Sequence, residues 1–225
     1  MRAFRWEWNS APARAPKTTA KVVVVFIIAA IVAFFIGSVP FGYVIGRLFY
    51  GFDIRTMGSG NIGAANALRT MGKEGAIAVL LLDVVKGFAP VLAAKLLGME
   101  PWPVAIVAAA AVLGHCFSPW LNWKGGKGVA TSAGAIIALS WVAGAICAGG
   151  WIVGAALTAF SSAGSMLLNL ASPFALWYAT HERAYAAYGV FAALLIFYTH
   201  RENIGRIAAG RENVIGFLRP GRKRT

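Results

Sequence analysis

The chain has 225 residues, of which 59% are hydrophobic and 13% are charged, and its formal net charge at pH 7 is +13. Its mean hydropathy of +0.68 indicates a polytopic membrane protein and argues against an ordinary water-soluble domain. The basic residues flank apolar segments, which favours contact with anionic lipid over nucleic acid. Cys116 and Cys147 lie in apolar surroundings without metal-ligand spacing, so we expect free buried thiols, no metal and no cofactor.

Seven apolar segments follow one another along the chain. Their approximate bounds are 22–49, 75–97, 102–121, 129–145, 148–160, 163–179 and 184–199. A bilayer span needs about 20 residues, so the fourth and fifth segments are short, and the glycines between 144 and 154 suggest two short helices joined tightly. No alternating strand pattern is present. Because backbone polar groups in lipid must be satisfied internally, we predict an all-α polytopic membrane protein with about seven transmembrane helices.

The two ends of the chain are basic. The N-terminal apolar run is longer than the apolar core of a signal peptide, which predicts an uncleaved first span. We therefore divide the chain into a mobile basic tail at residues 1–20, a membrane-embedded domain at 21–216 and a basic tail at 217–225.

Basic residues also predict the orientation of the chain. The segments 47–73, 122–128 and beyond 200 are basic, whereas the connections 97–101 and 180–183 carry little positive charge. The positive-inside rule places the three basic segments in the cytoplasm. Seven spans would then put the basic N-terminus on the other side, against the same rule. Either this tail is translocated despite its charge, or one span is miscounted.

The first polar segment, "GSGNIGAANALRTMGK" (58–73), combines glycines with polar side chains. A G-x-G-x-x-G spacing without a preceding strand is weak support for a dinucleotide site. Glycines let backbone N–H groups approach an anion, and arginine offers a fork for phosphate. A plain interhelical turn would explain the glycines but not the polar cluster. The candidate binding residues are Gly58, Ser59, Gly60, Asn61, Gly63, Asn66 and Arg69.

The second polar segment, "NWKGGKGVATS" (122–132), places two lysines among three glycines. It is not a Walker A loop, because Lys127 is followed by Gly128 rather than Ser or Thr. Gly125, Gly126 and Gly128, with Lys127 and a helix beginning near Val129, suit an anion. A mere positive-inside anchor is the alternative, but it would not need glycines.

The third polar segment, "THRENIGRIAAGRENVIG" (199–216), brings His200 and Asn203 to the same helical face at i and i+3. A solvated amphipathic tail on the membrane surface is the alternative.

Other polar residues lie outside these three segments. Asp83 and Lys86 also have an i, i+3 spacing, inside the second apolar segment, and are predicted to pair within the bundle. His115 and His181 are interpreted as structural or surface histidines.

Three stretches, "GSGNIGAANALRTMGK", "GHCFSPWLNWKGGKGVAT" and "THRENIGRIAAGRE", closely resemble the motifs of the bacterial acyl-phosphate:glycerol-3-phosphate acyltransferases, in matching order between about residues 30 and 216. The resemblance implies a seven-helix protein of the bacterial cytoplasmic (inner) membrane with its active site facing the cytoplasm. It implies transfer of a fatty acyl group from acyl phosphate to the 1-hydroxyl of glycerol 3-phosphate, giving lysophosphatidic acid and phosphate in phospholipid synthesis. Acyl-CoA and acyl carrier protein would not be direct donors. A transient contact with the soluble enzyme that makes acyl phosphate is also implied.

The resemblance assigns roles to individual residues. The motif serine, arginine and lysine fall on Ser59, Arg69 and Lys127, and the His and Asn of the last motif fall on His200 and Asn203. These imply a catalytic set of Ser59, Lys127, His200 and Asn203. A further family serine that contacts substrate falls on Ser165, with Ser162 as the competing position.

The chain departs from the family at Ala65, where the usual "GATN" reads Gly63-Ala64-Ala65-Asn66. The lost threonine hydroxyl removes one hydrogen bond, worth about 1.5–3 kcal/mol when it goes to a charged group. An inactive relative that binds lipid phosphate is therefore one alternative to the enzyme. A transporter for a phosphorylated metabolite is another, but it would need polar residues through the membrane depth.

The residues suggest a mechanism. Ser59 and the surrounding loop backbone would bind the acyl-phosphate group, while Arg69, Lys127, His200 and Asn203 would position glycerol 3-phosphate. Direct attack by the substrate hydroxyl is favoured over an acyl-Ser59 intermediate, because no base adjoins Ser59 in the sequence.

Overall fold

The computed structural model describes residues 20–215, apart from the side chain of residue 21, and all its regular elements are helices. The predicted tails lie outside the described residues, except for residue 20. The α-helices are α1 (Ala20–Ser38), α2 (Phe41–Phe49), α3 (Ala64–Thr70), α4 (Gly72–Leu96), α5 (Pro101–Cys116), α6 (Val129–Leu139), α7 (Trp141–Thr158), α8 (Ser161–Thr180), α9 (Arg183–Thr199) and α10 (Arg201–Ala208). The all-α prediction is confirmed.

The first apolar segment is not one continuous helix. It breaks between α1 and α2 at Val39 and Pro40, because proline lacks an N–H and disfavours helical geometry at the residue before it. Most side chains along α1 are exposed and apolar, as expected for a surface in contact with lipid. The short α2 is strongly amphipathic, which suits the membrane interface.

The predicted boundary between the fourth and fifth segments is wrong. The chain breaks at Ser140, and α7 then runs unbroken through Gly144, Gly149 and Gly150. Ser140 is extended and its Oγ accepts a hydrogen bond from Ala143 N at 3.3 Å, so it is an N-cap. Gly144 lies against Ile137. Gly144 therefore marks close packing of α7 on α6, and Gly154 lies against Gly164 of α8, so neither glycine ends a helix.

Four segments within the described part of the chain are long and apolar enough to cross a bilayer: Val22–Phe49, Gly72–Leu96, Pro101–Leu121 and Trp141–Thr158. The shorter or more polar α6, α8 and α9 pack against them. A helical bundle with membrane spans is thus established, whereas the number seven stays a prediction.

Small residues set the distance between neighbouring helices. A Cβ on Gly114 would lie 2.0 Å from Phe34 O, where α5 crosses α1, and one on Gly134 would lie 2.0 Å from Val84 O, where α6 crosses α4. Such close backbone approach is typical of helix pairs in membranes, which gain stability from van der Waals packing.

Polar contacts link the ends of α1 and α5 to each other and the end of α1 to the middle of α4. Trp120 Nε1 donates to Ser38 Oγ at 2.8 Å, and Ser118 Oγ donates to Ser38 O at 2.7 Å. The predicted Asp83–Lys86 pair is confirmed, with 2.7 Å between Lys86 Nζ and Asp83 Oδ1. These contacts fix the side of the bundle on which the second polar segment lies.

Gly134→Ala should destabilise the fold, because the added methyl would meet Val84 O at 2.0 Å and overpacking typically costs about 1–3 kcal/mol. The measurement is thermal unfolding of the purified protein in detergent. Gly149→Ala is the matched control, since its Cβ would have nothing within 4 Å. Equal unfolding temperatures for the two variants would contradict this account of the α4–α6 crossing.

Candidate functional site

The loop before α3 is folded around one buried side chain, Asn66, which is 1% exposed. Asn66 Nδ2 lies 3.2 Å from Ile54 O, 3.0 Å from Met57 O and 2.9 Å from Asn61 O. Its Oδ1 accepts from Ser59 N at 2.8 Å. The amide is thus occupied by the loop backbone, which gives Asn66 a structural role. Its predicted contact with substrate stays a prediction.

Two glycines let this loop close on Asn66. Gly58 has φ +59° and Gly60 has φ +70°, the left-handed region that L side chains rarely adopt. A Cβ on Gly58 would also lie 2.2 Å from Asn66 Oδ1. Gly63 precedes α3, and its N–H donates to Asn61 Oδ1 at 2.9 Å. The loop leaves Ser59 exposed, and Ser59 Oγ makes no hydrogen bond within residues 20–215.

The second polar segment is a loop pinned to the end of α5. Gly125 N donates to Cys116 O and Gly126 N to His115 O, both at 3.0 Å. Gly128 has φ +85°, and α6 begins at the next residue, Val129, as predicted. The loop backbone therefore caps the carbonyls of α5 and orients the side chain of Lys127.

The third polar segment meets the second. Lys127 Nζ donates to Asn203 Oδ1, and Thr199 Oγ1 donates to Lys127 O at 3.0 Å. The structure thus brings Lys127 and Asn203 into direct contact. His200 is buried beside them, and its Nδ1 lies 2.8 Å from Ile196 O. Since a carbonyl only accepts, Nδ1 carries the proton and Nε2 is left with a lone pair.

Glu212 completes the cluster, and the sequence analysis missed it. Its carboxylate accepts from Asn203 Nδ2 at 2.6 Å, Arg206 Nε at 2.8 Å and Ser162 Oγ at 2.9 Å, and its side chain is 4% exposed. The one available signal was an acidic residue inside a basic motif. Of the two candidate serines, Ser162 joins this cluster, whereas Ser165 Oγ donates to Ser161 O at 2.8 Å.

Electrostatics favour an anionic ligand. Burial, and then the nearby Arg206, lower the pKa of Lys127 to about 8, and Arg69 contributes in the same direction. Lys127 is therefore still a cation at neutral pH. Burial, followed by the charge of Lys127, lowers the pKa of His200 to about 4, so its imidazole is neutral. The cations Lys127, Arg206 and Arg69 outnumber the carboxylates Glu212 and Glu202 that act on Lys127, which leaves an excess of positive charge.

Asn66→Asp should unfold the loop, because it replaces an amide donor to three carbonyls by an oxygen that repels them. Unsatisfied buried polar groups cost about 1–3 kcal/mol each. Limited proteolysis should then cut between residues 54 and 61 at least tenfold faster. Thr70→Val is the matched control, since it removes only the hydrogen bond from Thr70 Oγ1 to Asn66 O. Equal cleavage of both variants would contradict the role of Asn66.

Comparisons with known proteins agree on one family. A family profile described as "Glycerol-3-phosphate acyltransferase" matches residues 27–210. A glycerol-3-phosphate acyltransferase of Synechococcus sp. (strain JA-3-3Ab) is 42% identical over 190 residues, covering 84% of this chain and 93% of the relative. One from Anaeromyxobacter dehalogenans (strain 2CP-1) is 45% identical over 187 residues, covering 80% and 92% respectively.

Solved structures give the same result. The crystal structure of PlsY (YgiH), an integral membrane glycerol 3-phosphate acyltransferase, in its glycerol 3-phosphate form has a TM-score of 0.81 to this chain at 35% identity, covering 86% of this chain and 97% of that one. Its lysophosphatidic acid form has a TM-score of 0.80. With a matching profile over most of its length, close relatives and a shared fold, this chain belongs to the glycerol-3-phosphate acyltransferase family.

Proposed function

We propose that this chain transfers a fatty acyl group from acyl phosphate to the 1-hydroxyl of glycerol 3-phosphate, giving lysophosphatidic acid and phosphate. The observation that carries the proposal is the contact of Lys127 with Asn203. It joins two of the three motifs into one cationic site, and the third motif contributes Arg69, whose charge acts on Lys127. Both substrates of this reaction carry phosphate, which such a site suits.

The bundle is proposed to cross the membrane seven times, through α1 and α4 to α9, with the site facing the cytoplasm. The contacts of Ser162 with Glu212 and of Lys127 with Asn203 support this arrangement, because they bring the starts of α6 and α8 and the end of α9 to one side. The basic residues near this side favour the cytoplasm. In this arrangement α1 begins on the opposite side of the membrane.

Each substrate is proposed to bind a different part of the site. The exposed Ser59 and the backbone of the loop around it hold the phosphate of the acyl donor. Arg69, Lys127 and Asn203 hold glycerol 3-phosphate with its 1-hydroxyl at the acyl carbonyl carbon. Holding two reactants in this geometry supplies a large part of an enzyme's rate enhancement.

The chemical step is proposed to be direct acyl transfer. A bond forms between the 1-oxygen of glycerol 3-phosphate and the acyl carbon, and the bond from that carbon to the phosphate oxygen breaks. The hydroxyl proton goes to a phosphate oxygen, because the second pKa of a phosphate ester is about 6 and His200, with a pKa of about 4, is the weaker base. Nearby donors and the Lys127 cation stabilise the charge on the departing phosphate.

The test is turnover by purified protein in lipid, supplied with glycerol 3-phosphate and either palmitoyl phosphate or palmitoyl-CoA. We expect lysophosphatidate and phosphate from palmitoyl phosphate alone, and at least a hundredfold loss in Lys127→Ala, as for removal of a key electrostatic donor. Lys124→Ala is the matched control, because Lys124 is exposed three residues away in the same loop.

The other outcomes separate the alternatives. Turnover with palmitoyl-CoA alone would overturn acyl phosphate as the donor. No turnover with either donor would favour the inactive relative, particularly if Ala65→Thr restored activity. Passage of glycerol 3-phosphate into sealed vesicles without acylation would favour a transporter.

The pH dependence should report Lys127. Its pKa is lowered to about 8, so the ammonium is present below that pH and is lost above it. We expect kcat/KM for glycerol 3-phosphate to fall above about pH 8, towards tenfold per pH unit. In Lys127→Arg the decline should move to much higher pH, because a guanidinium stays charged.

Glu212→Gln should move the same decline to lower pH. Glu212 raises the pKa of Lys127, so removing its charge makes the ammonium easier to deprotonate. Glu202→Gln is the control, because Glu202 has a smaller effect on Lys127 and its side chain is 74% exposed. If the pH dependence of kcat/KM were the same in Lys127→Arg and in Glu212→Gln as in the unchanged protein, the decline could not be assigned to Lys127.

A further inference from the structure

His115, near the end of α5, lies against the loop that contains Gly125, Gly126 and Lys127. Its side chain is 3% exposed, and a Cβ on Gly126 would lie 2.1 Å from His115 Nε2. Gly126 N donates to His115 O at 3.0 Å. The same residue therefore contacts Gly126 through both its ring and its backbone, one position before Lys127.

The opposite side of the His115 ring faces a buried ion pair. His115 Nδ1 lies 3.7 Å from Asp83 Oδ1, and Lys86 Nζ lies 2.7 Å from that oxygen. Both Asp83 and Lys86 come from α4, and their side chains are 2% exposed. Lys86 Nζ also donates to Val39 O at 2.8 Å. These polar contacts thus link the end of α1, the middle of α4 and the end of α5.

Packing alone does not account for these residues. Buried charges carry a large desolvation cost, and replacing a buried pair by apolar residues is often neutral or stabilising. Buried polar atoms normally have hydrogen-bond partners, but His115 Nδ1 has none among the described residues. It faces Asp83 Oδ1 at 3.7 Å, an oxygen that is already paired with Lys86. The Nε2 side of the imidazole lies against Gly126, in the loop that carries Lys127.

We infer that His115, oriented by Asp83 and Lys86, is a positioning residue for glycerol 3-phosphate. It touches no substrate; it fixes the Gly125–Gly126 backbone and, through it, the ammonium of Lys127. This inference rests on the proposed function, because it takes Lys127 to be a ligand of the glycerol 3-phosphate phosphate. A displacement of about 1 Å at a positioned group can cost on the order of a hundredfold in rate.

The test measures the KM for each substrate in His115→Ala, Asp83→Asn and the double variant, with thermal unfolding of each. His115→Ala should raise the KM for glycerol 3-phosphate about tenfold and leave that for palmitoyl phosphate within about twofold. Lys127 is proposed to bind glycerol 3-phosphate in the ground state, but to act on the donor phosphate only as it departs. Asp83→Asn should raise it less. The double variant should match His115→Ala, because Asp83 acts through His115.

Two further variants make the result decisive. Val104→Ala removes buried volume from the same helix far from the loop, where Val104 is 0% exposed, so it should lower stability without changing either KM. Lys127→Ala tests the premise: an unchanged KM for glycerol 3-phosphate there would remove the ligand role of Lys127 and the inference with it. If Lys127→Ala raises that KM but His115→Ala does not, the inference alone is overturned.

Parallel changes in both KM values, or a smaller folded fraction with unchanged KM values, would show that His115 and Asp83 serve folding only. Failure of both single variants to fold would lead to the same conclusion.

Discussion

The donation from Lys127 Nζ to Asn203 Oδ1 spans 76 positions of the sequence, and the rest of the site depends on it. A lysine beside lipid needs a polar partner, because an isolated charge in such a place is costly. Asn203 supplies that partner and passes the interaction to Glu212, which in turn holds Arg206 and Ser162. One chain of hydrogen bonds thus joins the loop before α6, the start of α8 and the segment after α10. The helices position the residues of this hydrogen-bond network, and the network in turn holds the helix ends together.

The sequence predicted the features that follow from local pattern. Apolar length and the lack of alternation indicated a helical membrane protein, the loop before Val129 indicated where α6 begins, and the i, i+3 spacing of Asp83 and Lys86 indicated their pairing. The break at Ser140 was missed because Gly144, Gly149 and Gly150 have two meanings in a membrane protein. A glycine either ends a helix or lets another helix approach, and only the positions of the neighbouring helices α6 and α8 decide between the two.

The sequence could not predict the role of Glu212, or decide between Ser162 and Ser165, for a different reason. Ser162 lies 50 positions from Glu212 in the sequence. Both candidate serines lie in the first two turns of α8, about one turn apart. Nothing in the sequence relates the face of α8 to the segment after α10.

The roles of Asn61 and Asn66 show a related limit. Both were predicted as ligands because amides suit phosphate, but an amide equally suits backbone N–H and C=O groups, and the fold brings such groups to them.

The occupation of Asn66 by its own loop has a consequence for binding. A glycine-rich loop that became ordered only around its ligand would lose conformational entropy on association, at about 1–2 kcal/mol for each fixed backbone residue. Here the hydrogen bonds of Asn66 order residues 54–61 during folding. The entropy is lost before any ligand arrives, so more of the interaction energy with an incoming phosphate is expressed as affinity. A side chain that is hydrogen-bonded to its own loop can thereby set how tightly a ligand is held.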